Sequence, residues 1–380
     1  MPINGKKVAI VHDWMNGFRG GEQVLDALVE VFPDAEIFTL FYTPGALNRR
    51  IESRPIHVSF LNKIPGARRY YRYFLPFFPL AIERFDLSAF DLVISSSHCV
   101  AKGVIPAPGA LHICYCHTPM RYAWDRYRDY FGKSKLEPLI SIFMHYLRMW
   151  DVVSSQRVDH FITNSNYIRS RIDRFYRREA TVIYPPLETS RFRPTAGDRG
   201  NYYLVVSAFA PYKRIDLAIR TCEKLNRKLF IIGTGQDEKS LKALAGDHTV
   251  FLGRLPHEEL NDLLAGAKAL LFPGEEDFGI APVEAMAAGT PVIAYGKGGC
   301  LETVIPNATG LFFTEQSVES LENAILEFEG KKFSREACVA QAQRFGRERF
   351  QREVLQTIER LMTSAAADTP PPSLSPSPAN

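Results

Sequence analysis

No apolar run in this sequence approaches the ~18–20 residues that span a bilayer. The greasiest piece, residues 73–82 (YFLPFFPLAI), is short and broken by Pro76 and Pro79. An excess of one charge is also missing. The 46 basic and 42 acidic residues leave a formal net charge of +4, so any basic binding surface must be local, and no global polyelectrolyte draws the chain to nucleic acid. The six cysteines stand singly apart from Cys114 and Cys116, which alternate along one strand-like run without ligand-spaced partners. Reduced thiols are therefore expected, rather than zinc or disulfides. The opening MPINGKKVAIVHDW enters a strand at once and has no secretory pattern, so a cytoplasmic location is expected. Two motifs are absent as well. No glycine fingerprint is followed ~20 residues on by an acid, which disfavours a nicotinamide oxidoreductase. No D-x-D offers a carboxylate pair to a metal.

What is present is alternation. Short β-branched runs (KKVAIVHD, AEIFTLF, FDLVISSS, LHICYCH, DHFITNS, ATVIYPP) are separated by amphipathic stretches, the pattern of βα units and a parallel sheet. A turn-rich, charged segment near residues 187–200 interrupts the series, and a second one follows: YYLVVSAF, RKLFIIGTG, HTVFLGRL, KALLFPG, TPVIAYG and TGLFF. With 380 residues, 46% hydrophobic, two domains are expected. The fold class is α/β, two tandem Rossmann-like doubly wound domains with a cleft between them. The expected divisions are residues 1–192, 193–345, a helix over 346–362 crossing back to the first domain, and a Pro/Ser-rich disordered tail over 363–380.

In such sheets ligands lie beyond the carboxyl ends of the strands, which singles out PGEEDFGIAPVEAMAAGTPVIAYG, residues 273–296. Glu276 and Glu284 flank Phe278, Gly279 and Ile280, with Pro282 suited to a helix start. The free amides at that helix start, backed by its dipole, suit a diphosphate. Glu276 is placed to accept sugar hydroxyls, and Glu284, in the first turn, the paired hydroxyls of a ribose. Either carboxylate alone is explained by the helix dipole or by an acidic surface loop; their combination points to a nucleotide diphosphate-sugar.

Glu276-Asp277-Phe278-Gly279 with Glu284 resembles the E-x-F-G-x-x-x-x-E signature of retaining GT-B glycosyltransferases of family 4. FRGGEQVL, CYCHTPMRYAWD, TNSNYIRSRI, YPPLETSRF, PYKRIDLAI, IIGTG, FLGRLPHEEL and KGGCLETV agree in order, so the resemblance covers residues 7–360. HTPMRYAWD and PYKRIDL are most similar to the subgroup containing bacterial O-antigen mannosyltransferases. The resemblance implies a hexosyltransferase that uses no metal or other cofactor. GDP-mannose is the favoured donor, and a polyprenyl-diphosphate-linked or other lipid-linked saccharide the acceptor. A UDP-sugar enzyme and a catalytically weak sugar-nucleotide-binding protein remain the alternatives, the second because Ala208 stands where the family usually has Arg, with Ser207 in place of Gly.

By the same resemblance, Lys213 carries the charge that meets the departing diphosphate, with Arg214 or Arg254 as support. His117 lies at the cleft floor near the transferred sugar; a lone histidine after a strand also satisfies turns. The Gly20-Gly21 pair permits close backbone approach to the donor, or is an ordinary flexible turn. Gly233 belongs to a weaker phosphate-loop candidate. Lys63, Arg68, Arg69 and Arg72, interleaved with Tyr70, Tyr71, Tyr73, Phe74, Phe77 and Phe78, fit an anionic membrane interface at the inner face of the cell membrane. A helix that packs those aromatics inward is the other reading, and no RNA-binding motif accompanies them.

Overall fold

The computed structural model describes residues 5–132 and 135–367. Its strands gather into two parallel sheets. The first contains β1 (Val8–His12), β2 (Glu36–Thr39), β3 (Ile56–Val58), β4 (Leu92–Ser97), β5 (Leu111–Cys116), β6 (His160–Thr163) and β7 (Ala180–Val182). Their order is β3-β2-β1-β4-β5-β6-β7. The second contains β8 (Tyr202–Val206), β9 (Lys228–Ile232), β10 (Thr249–Gly253), β11 (Ala269–Phe272), β12 (Val292–Tyr295) and β13 (Gly310–Phe313), in the order β10-β9-β8-β11-β12-β13. Every residue of β1, β4 and β11 is buried, as both faces of a helix-covered parallel sheet require. The doubly wound α/β architecture expected from the alternation is the one observed. Among the described residues no helix is long and apolar enough to cross a membrane. All six cysteines are free, buried thiols.

Local chemistry sets the helix ends that matter for the site. Glu22 folds back so that its carboxylate accepts from the Arg19 backbone amide at 2.9 Å, opening the helix Gly20–Val31. The Ser165 hydroxyl accepts from the Ile168 amide at 3.1 Å and caps the helix Asn166–Tyr176. Gly279, at φ 87°, turns the chain into the helix Ile280–Ala287. That helix therefore starts two residues before Pro282, and Glu284 falls beyond its first turn, a correction to the expected placement.

The C-terminal region is two helices, Arg335–Gln343 and Arg347–Ala367. The second lays Phe350, Val354 and Ile358 into the apolar cluster of the first sheet, beside Ile10, Leu28 and Tyr115. Each such buried side chain contributes roughly 1.5–3 kcal/mol. Arg347 pins the same helix through Asp26 at 2.8 Å and Glu30 at 2.6 Å. The tail expected to be disordered from residue 363 is helical as far as Ala367, because the helix runs on past its last buried contacts. Residues 368–380 of that tail lie outside the described residues.

Candidate functional site

In each sheet the strand order reverses once, between β1 and β4 in the first and between β8 and β11 in the second. Connections diverge at such a switch point and leave a crevice. The first crevice is walled by histidines at neighbouring strand ends. His12 Nδ1 lies 3.1 Å from Ser96 Oγ, and that hydroxyl lies 2.9 Å from His117 Nε2. Asp13 is buried and accepts backbone amides from His98, Cys99, Val100 and Ala101 at 2.7–2.9 Å. It also faces His98 Nδ1 at 3.1 Å. Burial holds the His117 imidazole well below the usual histidine range, and His98 and His12 push the same way. The ring is neutral at pH 7, fit to exchange hydrogen bonds with a hydroxyl.

Gly21 sits against this wall. A Cβ there would lie 3.5 Å from His12 Cε1 and 3.9 Å from His117 Nε2. A Cβ on Gly20 would meet Ile280 Cδ1 at 2.6 Å, so the start of the first helix abuts the Gly279 turn of the other sheet. The glycine pair and the acidic motif, more than 250 residues apart in sequence, thus face each other across one cleft.

On the opposite wall, Lys213 Nζ is in direct contact with Glu276 Oε1, and both side chains are largely buried. Burial, and then the neighbouring Arg121, pull the Lys213 ammonium down to about 7, with Asp277 opposing. Gly274 allows the approach, since a Cβ there would lie 2.9 Å from Lys213 Cα. Burial raises the Glu284 carboxyl to about 7, with Arg191 opposing. Phe278 is a core residue, its ring 5.7 Å from Tyr184 and 5.5 Å from Phe345. It anchors the loop that leads into the Gly279 turn.

Three expected donor residues sit differently. Arg214 is spent on Asp216, with Nε and Nη2 at 3.0 and 3.2 Å from its two carboxylate oxygens. Arg254 is exposed and donates to Thr234 Oγ1 at 3.2 Å. Asp277 pairs with Arg121 and, at 3.6 Å, with Arg171. Gly233, at φ 135°, packs so closely that a Cβ there would overlap the Ser207 carbonyl oxygen at 1.8 Å. The four basic residues of the aromatic segment, Lys63, Arg68, Arg69 and Arg72, are exposed.

Further polar bonds close the cleft. Glu275 accepts from Tyr167 OH at 2.7 Å, and the Asp277 carbonyl accepts from Ser165 Oγ at 2.6 Å. Glu302 accepts the Asn166 and Tyr167 amides at 2.9 and 3.1 Å, covering the start of the helix Asn166–Tyr176. His12, Asp13, His98 and Arg121 join the site without a sequence assignment of their own. His12 ends β1, and Asp13 and His98 follow β1 and β4 as His117 follows β5, so the strand-end rule reaches all three when applied to every strand. Arg121 lies within the HTPMRYAWD motif, whose resemblance gives the arginine no role of its own.

Two facing doubly wound sheets, with a lysine–glutamate pair and a glycine-opened helix across from a histidine wall, define a two-domain GT-B transferase architecture. Residues 18–191 match the family model described as Glycosyltransferase Family 4, and residues 187–345 the one described as Glycosyl transferases group 1. The chain belongs to the family 4 glycosyltransferases. It is similar to an uncharacterized glycosyltransferase of Methanocaldococcus jannaschii, 30% identical over 48% of this chain and 57% of that one. It also resembles the GDP-mannose-dependent alpha-(1-6)-phosphatidylinositol monomannoside mannosyltransferase of Mycobacterium tuberculosis, 31% identical over 43% of this chain and 50% of that one. The chain thus spans about half the length of these curated relatives. The alpha-1,3/1,6-mannosyltransferase of Mus musculus is 26% identical over 86% of this chain and 88% of its own length. Sucrose-phosphate synthase from Thermosynechococcus elongatus shares the fold at TM-score 0.70 and 18% identity, covering 96% of this chain and 100% of that one.

Proposed function

We propose that the protein transfers mannose from GDP-mannose, with retention of configuration, onto a lipid-linked saccharide such as a polyprenyl-diphosphate-linked chain. The observation that carries this reading is the buried Lys213–Glu276 pair beside the Gly279 helix start. A fixed cation and free amides suit a leaving diphosphate, and a carboxylate beside them suits the sugar it releases. The printed functions of the mycobacterial and mouse relatives favour mannose, and the former favours GDP-mannose. The second sheet and its helices hold the donor, and the first receives the acceptor. Neutral His117 bonds a hydroxyl of the transferred sugar. In front-face retention the leaving phosphate oxygen takes the acceptor's proton, so no general base is assigned. A thermal-shift screen of GDP-, UDP- and ADP-sugars tests the donor: GDP-mannose should give the largest rise in Tm, and a larger rise with a UDP-sugar overturns that choice.

No metal enters this scheme, because Lys213 and the helix amides meet the charge. Transfer should keep its rate in excess EDTA. Loss of activity that magnesium or manganese restores would contradict it.

The acceptor's lipid places the enzyme at an anionic membrane surface. Tyr73, Tyr70 and Phe77 are 82%, 52% and 52% exposed, and Arg69 and Arg72 lie 5.5 and 5.6 Å over the rings of Tyr70 and Tyr71. Phe78 alone is fully inward, with Tyr71 and Phe74 half-buried. The helix Glu137–Ser155 adds an exposed, uncharged stripe of Leu139, Ile142, Tyr146, Met149 and Val153. Each of Lys63, Arg68, Arg69 and Arg72 should contribute about 1 kcal/mol of attachment at low salt. Changing all four to Ser should release the protein from anionic liposomes and slow transfer to a lipid-linked acceptor, sparing a short soluble one. Salt should mimic the change. Equal partitioning of both proteins at low salt would make the segment structural.

A further inference from the structure

The loop after β11 carries three consecutive acids, Glu275, Glu276 and Asp277. The cations that the second half of the chain brings to them are few. Lys213 is matched by Glu276. Lys297 reaches only to 3.5 Å from Glu275, with 57% of its side chain exposed. Arg214 and Arg254 are held elsewhere, by Asp216 and Thr234. A nucleoside diphosphate at this loop therefore meets more negative than positive charge, and its own charge grows as the sugar leaves.

The balance is made up from the other domain. Arg121, four residues after His117, contacts the Asp277 carboxylate and places Cζ 5.5 Å from the Tyr212 ring centroid. Lys213 Nζ is 5.1 Å from the same centroid. Two cations, one from each wall, thus share one aromatic ring. Asp277 does not depend on Arg121 alone. Arg171 Nη1 stands 3.6 Å away, itself steadied by Asp125 at 2.6 Å and Thr118 at 2.5 Å.

We propose that Arg121 is a second cation for the donor's diphosphate, parked on Asp277 in the free enzyme and passed to the phosphate oxygens when the donor fills the cleft. This rests on the sugar-nucleotide reading above. As the bond from the sugar C1 to the phosphate oxygen breaks, its electron pair stays on the diphosphate, where Arg121 and Lys213 meet it. The acceptor oxygen bonds C1, and its proton passes to that phosphate oxygen. Arg171 remains as the partner of Asp277.

The test compares Arg121→Gln, Arg121→Lys and Asp277→Asn with the wild type by calorimetry with GDP and GMP, and by turnover. Should the wild type bind UDP instead, UDP and UMP replace them. Arg121→Gln should lose at least tenfold in GDP affinity and leave GMP affinity unchanged, because GMP has no β-phosphate. Turnover should fall on the order of 10²-fold, and millimolar guanidinium should restore part of it. Asp277→Asn should keep or gain GDP affinity, since it frees Arg121. Were Arg121 only a latch between domains, Asp277→Asn would lose activity in step with Arg121→Gln and guanidinium would restore nothing; that result overturns the proposal. Equal GDP affinity in wild type and Arg121→Gln also overturns it. Should Arg121→Gln fail to fold, Arg121→Lys carries the same comparison, with a smaller GDP loss expected and an unchanged GDP-to-GMP ratio overturning the proposal. A wild type that binds no nucleoside diphosphate at all sinks the parent reading instead, so the two failures are distinct.

Discussion

Lys213→Ala should cut turnover by about 10²–10³ while weakening nucleotide affinity far less. The charge that this lysine meets develops in the transition state, and a preorganised group of that kind typically accounts for such a factor. Its setting supports a fixed role: Nζ touches Glu276, and the Lys213 backbone packs against Gly274. Glu276→Gln should expose the other side of the pairing. Burial and Arg121 already hold the ammonium down to about 7, and losing the touching carboxylate should lower it further, so the variant should lose its remaining activity at a lower pH than the wild type. Steady-state kinetics of the two variants from pH 6 to 9 provide the check. A fall of less than tenfold for Lys213→Ala would show that another cation holds the principal role.

Glu284→Gln should stabilise the protein and weaken donor binding at once. Burial raises this carboxyl from 4.5 to about 7, so between those values the folded chain holds a proton that the unfolded chain has lost. Stability therefore falls as pH rises through that window, and above it the full cost of a buried carboxylate remains. Removing the charge should recover on the order of 1–3 kcal/mol at pH 8, read as a higher Tm. The same change replaces one carboxylate oxygen by an NH2 donor, so only one of the two ribose hydroxyls keeps its acceptor, at roughly 1–3 kcal/mol of nucleotide affinity. Wild-type affinity should increase as pH rises through about 7, and the variant's should not. Unchanged affinity with an unchanged melt would leave Glu284 as a helix residue only.

The sheets were legible because strand periodicity and β-branched composition are local properties, and because parallel strands buried on both faces read as apolar runs. The acidic motif was legible as a motif. Its conformation was less so: Gly279 at positive φ starts the helix at Ile280, and moves Glu284 past the first turn. Arg214 reads in sequence as a second cation, yet Asp216 two residues on captures it. That competition depends on the left-handed backbone of Arg214, at φ 51°, which no composition signal marks in a non-glycine residue. The Arg121–Asp277 and Glu302–Asn166 contacts join residues more than a hundred positions apart. Only the docking of the two sheets brings them together, so pattern reading has nothing to act on.

The most direct test is nucleoside diphosphate release by the wild-type enzyme, followed with GDP-mannose and a polyprenyl-diphosphate-linked saccharide in membranes or detergent. The account predicts GDP formed in step with an α-mannosylated product, dependent on the acceptor and abolished to within about 1% by Lys213→Ala. If GDP-mannose binds but no nucleoside diphosphate is released from it, or from UDP- and ADP-sugars, with any lipid-linked saccharide offered, the protein binds sugar nucleotides without transferring them.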